Sequence, residues 1–152
     1  MDNNFDFFVG TWTSKQRRRR KALAGIDDWY EMAGVTRCWN VLEGAGNFDE
    51  VVFPSEGFSG VTLRLYDKSR DEWSLYWAST RMGLSLPPVV GRFGDDGTGR
   101  FTADEVYEGT PITVRYLWSE ITATTCRWEQ AFSVDQGTTW EANWIAEFSR
   151  TS

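Results

Sequence analysis

The chain has 152 residues, 41% of them hydrophobic and 16% aromatic, with 22 acidic against 16 basic side chains and a net charge of −6. This length predicts one domain over residues 1–152, burying about 70% of its unfolded surface, and the composition is that of a globular protein with a surface field set against nucleic acid and anionic membrane. Histidine is absent, which excludes histidine-activated nucleophiles, histidine general bases, histidine-held haem and nearly all common zinc sites.

Read for period, the chain alternates nearly everywhere and offers no long amphipathic helix. Residues 4–8, Asn-Phe-Asp-Phe-Phe, form a short apolar plug of one helical turn that ends at Gly10. Strands are predicted near 11–22, 29–41, 47–53, 58–67, 72–80, 88–93, 99–108, 111–119, 125–134 and 140–149. Between them lies turn chemistry such as Gly25-Ile26-Asp27-Asp28, Pro54-Ser55-Glu56-Gly57 and Gly94-Asp95-Asp96-Gly97. The expected class is all-β: about ten strands in a single closed or nearly closed antiparallel up-and-down barrel, because closure alone removes both sheet edges.

The first strand carries the densest charge run, Arg17-Arg18-Arg19-Arg20-Lys21. Side chains alternate across a strand, so Arg18 and Arg20 share the face of Trp12, Ser14 and Gln16, while Arg17, Arg19 and Lys21 take the other. With Trp12 inward, Arg18 and Arg20 are expected inside the barrel, paired with a ligand anion or with an acid such as Glu31 or Glu50; a bulge would return them to solvent. Three later strands supply aromatic stripes. Ile112, Val114, Tyr116 and Trp118 share one face; Trp128, Gln130 and Phe132 another; Trp140, Ala142, Trp144, Ala146 and Phe148 a third. Charged residues such as Arg127, Glu129, Glu141 and Glu147 run opposite, so the aromatic faces are read as inward.

A barrel of about ten strands is wide enough for space to remain inside. The predicted ligand-binding set is Arg18, Arg20, Trp77, Tyr116, Trp118, Trp128, Gln130 and Trp144, and the expected partner is a small apolar or aromatic molecule with an acidic or carbonyl group. One alternative is an enzyme, a cyclase or isomerase of a carbonyl compound such as a secondary metabolite, with Glu31 or Glu50 as proton carrier and Tyr116 or Arg18 stabilising oxyanion charge. A structural or interaction barrel with a filled core is the other. Neither nucleic acid nor membrane is an expected partner, and the oligomeric state is left open.

No cofactor and no metal are expected. Cys38 and Cys126 lack CxxC spacing and read as buried free thiols, and Asp95-Asp96-Gly97 has too few ligands for a calcium loop. The acids of Asp49-Glu50, adjacent on a strand, point to opposite faces and form no dyad by themselves. Ser133-Val134-Asp135-Gln136-Gly137-Thr138-Thr139-Trp140 fits the Asp-box pattern that sialidase-type propellers repeat; occurring once, it reads as a hairpin device with Trp140 folded over the corner. Met1 to Asp6 show no basic, apolar leader, and no run reaches the ~18 apolar residues of a membrane helix, so a cytoplasmic protein is expected.

Gly10-Thr11-Trp12 after an apolar turn resembles the G-x-W opening of calycins, the lipocalin-like barrels whose tryptophan closes the floor. Together with Gly44-Ala45-Gly46-Asn47-Phe48-Asp49-Glu50, Leu63-Arg64-Leu65-Tyr66-Asp67, Trp73-Ser74-Leu75-Tyr76-Trp77, Pro88-Val89-Val90-Gly91-Arg92-Phe93 and Arg127-Trp128-Glu129-Gln130-Ala131-Phe132-Ser133, it makes residues 5 to 150 similar to stand-alone bacterial calycin-like proteins of unknown function. The resemblance implies the barrel and carries over no catalytic residue. Calycin-like barrels that hold haem use a histidine, a route closed to this chain.

Overall fold

The computed structural model describes residues 4–152. After a 3-10 turn at Asp6–Phe8 come β1 (Gly10–Arg19), β2 (Trp29–Val41), β3 (Gly46–Phe53), β4 (Phe58–Asp67), β5 (Glu72–Ser79), β6 (Gly83–Leu84), β7 (Val89–Phe93), β8 (Gly99–Tyr107), β9 (Thr110–Ser119), β10 (Thr125–Ser133) and β11 (Glu141–Arg150). Each strand pairs antiparallel with its sequence neighbours, β5 passes to β7, and β1 pairs with β11. The circuit closes with ten strands; β6 hangs on β5 outside it. Among the described residues, no helix is long and apolar enough to cross a membrane.

β2 and β4 have the limits that alternation and turn residues predict. β1 stops earlier than expected, at Arg19. Beyond it the backbone leaves the ladder: Leu23 takes φ 59°, and its N–H donates to Glu141 Oε1 at 2.8 Å. A second departure is a bulge in β11. Gln130 opposes Trp144 while Ala131 opposes Ala142, which leaves Asn143 as the extra residue. The bulge flips everything before it. Ala142 and Trp140 therefore lie on the outer face rather than the predicted inner one, with Trp140 under the Arg115 guanidinium, 4.4 Å from the ring centroid.

The lower end of the barrel is filled. Phe5 and Phe8 from the N-terminal turn pack with Trp12, Trp73, Phe101 and Trp118, all 3% exposed or less. The Phe8 ring stacks on Trp12 at 5.3 Å, and Trp12 Nε1 donates to the Phe8 carbonyl at 2.9 Å. From the last strand Arg150 donates to the carbonyls of Phe7 (2.6 Å) and Val9 (2.5 Å) while covering the Trp12 ring at 4.3 Å. Each aromatic side chain buried here stabilises the fold by about 1.5–3 kcal/mol. The floor explains the chain's early aromatic cluster: a barrel this wide must be plugged at one end to hold a core.

β4 departs from the usual inward-apolar rule. Phe58, Gly60, Thr62 and Arg64 are buried, while Val61, Leu63 and Leu65 alternate with them on the half-exposed side. Two polar side chains therefore enter the interior, and three aliphatic ones face out.

Candidate ligand cavity

Above the floor the interior holds a cavity of about 80 Å³, walled by Trp77, Tyr116, Trp118, Trp128 and Trp144. These rings meet edge to face: Tyr116 on Trp128 at 5.2 Å, Trp128 on Trp144 at 5.3 Å and Trp77 on Trp144 at 6.0 Å. The interlocked geometry fixes them as a rigid wall. Trp77 comes from β5 and reaches in over Gly60, where an added Cβ would lie 2.1 Å from its ring. Trp144 Nε1 donates to Gln16 Oε1 at 2.7 Å, and Gln16 Nε2 donates to Ser14 Oγ at 3.0 Å. Gln130 lines the same space and donates to Asn143 Oδ1 at 2.8 Å. Six of the residues predicted from sequence to bind a ligand, namely Trp77, Tyr116, Trp118, Trp128, Gln130 and Trp144, thus surround one volume.

The charged part of the cavity is one that sequence reasoning missed. Arg64 and Asp49 form an ion pair inside the barrel, their side chains 3% and 6% exposed. Arg64 Nη1 also donates to Asn47 Oδ1 at 2.7 Å, an oxygen that accepts as well from the Cys38 thiol at 3.3 Å. The guanidinium sits over the floor rings, 4.9 Å from Phe5 and 5.5 Å from Phe8 and Trp118. Burial pushes the Asp49 carboxyl above the usual carboxylate range, and Arg64 pulls against that rise. The thiols are inert: burial lifts Cys38 to about 11 and Cys126 to about 12.

Three buried polar atoms on the cavity lining have no hydrogen-bond partner among the described residues: Arg64 Nε, Trp118 Nε1 and Thr36 Oγ1. Burying such groups unpaired is costly.

The proton carriers expected from sequence lie elsewhere. Glu31 and Glu50 are both exposed, because they stand opposite Arg17 and Arg37 on the outer-face register. Asp49 and Glu50 are neighbours on a strand, so only one of them can enter, and it is Asp49. A second inward acid is Glu105, half-buried on β8 in the same alternation as Phe101 and Tyr107; burial raises its carboxyl. Burial, with the nearby Glu105 charge, also drives the Tyr116 phenol up, so it stays protonated as a hydrogen-bond donor.

The upper end opens through a cleft of about 330 Å³ that shares Trp77, Gln130 and Trp144 with the cavity and carries Arg18, Arg19, Arg20 and Arg81. Arg18 is half-buried over the Trp144 ring at 4.1 Å and makes no ion pair among the described residues. Its inward parity with Trp12 is as expected, but its height is that of the mouth. Arg20 corrects the reading: β1 has ended, its side chain is 61% exposed, and it pairs with Asp28 at 3.3 Å on the rim. The signal that could have found Arg64 is Gly60. A glycine in mid-strand marks a close approach, and Arg64 shares its parity.

A closed antiparallel meander with a tryptophan floor and one open end is a calycin-like barrel, the fold that the resemblance in sequence implies. Among solved structures, the S-type phycobiliprotein lyase of Guillardia theta has this fold, with a TM-score of 0.60 over 97% of this chain and 90% of that one. The two sequences are 12% identical, a likeness of fold alone. No family model matches the chain, and no curated protein does.

Proposed function

We propose that the protein binds a small, largely aromatic or apolar molecule inside the barrel, its carbonyl end at Arg64 and Trp118 and any acidic group at the arginines of the mouth. The observation that carries this reading is the gathering of five aromatic side chains and the buried Arg64–Asp49 pair around one cavity. Because Asp49 already neutralises Arg64, the deep end favours a neutral acceptor over a carboxylate, which would meet Asp49's charge. The mouth, where Arg18 has no acid partner among the described residues, favours an anion. Apolar walls supply most of the affinity and the polar groups set orientation. The lyase of Guillardia theta shows that an enzyme can use this fold. If the cavity turns over its ligand, Asp49 is the acid on its wall placed for proton transfer, in place of Glu31 and Glu50.

The test is native mass spectrometry of protein purified from its own source, together with tryptophan quenching by 1-anilinonaphthalene-8-sulfonate, an aromatic anion. An adduct of small mass and saturable quenching are expected. Arg18→Met should weaken the probe by about 10- to 100-fold with the fold intact, as for a lost charge-assisted hydrogen bond of about 1.5–3 kcal/mol. Absence of both an adduct and saturable quenching would refute the reading.

A further inference from the structure

The outside of the barrel is uneven. Over β9 and β10 it carries ion pairs, with Arg115 and Arg127 each 3.2 Å from Glu129. Over β2 to β5 it is apolar. Trp39, Phe48, Leu63 and Tyr76 are successive register partners and make one row across four strands. Val35 stands beside Val52 in a parallel row, and Val35, Trp39 and Val52 are 45%, 40% and 41% exposed. The inverted pattern of β4 adds to this face by turning Val61, Leu63 and Leu65 outward. Between the two rows lie Arg37 and Glu50, also register partners, both exposed, and neither in an ion pair among the described residues.

We propose that this face joins two copies of the chain about a two-fold axis that runs along the strands between β2 and β3. Rotation about such an axis keeps every residue at its height along the strands and exchanges β2 for β3. Val35 then meets Val52 of the second copy, Trp39 meets Phe48, and Arg37 meets Glu50. Over β2 and β3 apolar side chains fall on apolar ones and each copy's cation on the other's anion; outside them the same rotation lays β4 over β1, with Val61 on Thr11 and Ser59 on Thr13. That self-complementarity is what an isologous interface requires, and Trp39 with Phe48 gives it the aromatic centre common at protein contacts. The four strands β1 to β4, about 4.8 Å apart, and three rows about 6.8 Å apart give a contact of roughly 400 Å² per copy. At roughly 800 Å² in total this is below the standard size of a stable interface and predicts a weak dimer that dissociates on dilution.

The experiment is sedimentation velocity of the full chain up to about 100 μM, where a micromolar dimer is mostly assembled. The wild type should dimerise. Arg37→Glu alone and Glu50→Arg alone should each weaken the dimer about tenfold or more, and the double reversal should return it to within about threefold of wild type. Both positions are exposed, so circular dichroism should show all variants folded. Single reversals without effect, or a double variant as weak as the singles, would overturn the two-fold arrangement. So would a wild type that stays monomeric at the highest concentration. A monomer that co-floats with phosphatidylglycerol vesicles would give this face to a lipid surface, and one that does not would give it to a different protein; each overturns the proposal.

Discussion

Removing the Arg64 guanidinium tests whether the buried pair is an interior charge system or ordinary packing. In Arg64→Met the side-chain volume is largely kept, while Asp49 loses the cation that faces it. The stranded carboxylate has two choices at neutral pH: remain ionised in an apolar cavity, or take a proton. Taking a proton from water at pH 7, about three units above an ordinary aspartate, costs roughly 4 kcal/mol at about 1.4 kcal/mol per unit. That sets the ceiling, in line with the 3–5 kcal/mol typical of breaking one side of a buried pair. For a chain of this length it corresponds to a melting temperature lower by roughly 8–16 °C. The sign of the pH dependence follows. In the variant the folded state holds a proton that the unfolded state releases above pH ~4, so the deficit shrinks by about 1.4 kcal/mol for each unit of acidification. Asp49→Leu added to Arg64→Met removes the stranded charge and should recover most of the loss. The assay is urea unfolding of the three proteins between pH 7 and pH 5. An Arg64→Met protein as stable as wild type at pH 7, or one whose deficit is the same at pH 5, would refute this account.

Three further outcomes are expected. Gly60→Ala places a methyl group 2.1 Å from the Trp77 ring, so it should cost about 1–3 kcal/mol, alter the near-ultraviolet dichroism and weaken the anilinonaphthalene probe; an unchanged spectrum would show that Trp77 is not seated there. Asp135 is held down to about 2 by hydrogen bonds from the Thr139 hydroxyl and N–H and from Ser133, so its contribution is complete above pH ~4 and lost as pH falls toward 2. The difference in melting temperature between wild type and Asp135→Asn should close over that window. Burial raises Glu105 above 4.5, so the folded state prefers the proton and is penalised as pH rises through the raised value. Glu105→Gln should therefore melt higher than wild type at pH 7 and equal to it near pH 4; a variant that melts lower at pH 7 would mean that the carboxylate is paired.

Much of the architecture was legible because turns and alternation are local signals. The Asp-box hairpin forms as read: Asp135 accepts from the Thr139 N–H at 2.8 Å, and Gly137 takes φ 90°. The aromatic walls were also legible, since on β9 and on β11 beyond its bulge the aromatic side chains all share one face and the charged Arg115 and Glu147 lie on the other. Where the two faces are less distinct, alternation says which residues share a side but not which side is in. On β4 Leu63 and Leu65 look like the core face, yet Arg64 is buried and they are not. Choosing Glu50 over Asp49 fails for the same reason. The bulge at Asn143 has no local signature, because it arises from fitting two strands of different path around a closed circuit. Arg20 stands one residue past the end of β1, where alternation no longer fixes the side of the sheet.

The plug at the base leaves the barrel a single doorway. A molecule that reaches Arg64 must come and go past Trp77, Arg18 and Arg81, so arrival and departure cross the same barrier. Substitutions at rim positions that do not touch the bound molecule should then speed or slow both steps by similar factors and leave the equilibrium constant nearly unmoved. Substitutions beside Arg64 should act on departure alone. Residence time can in this way drift at the rim without disturbing affinity, whereas a change beside Arg64 moves both.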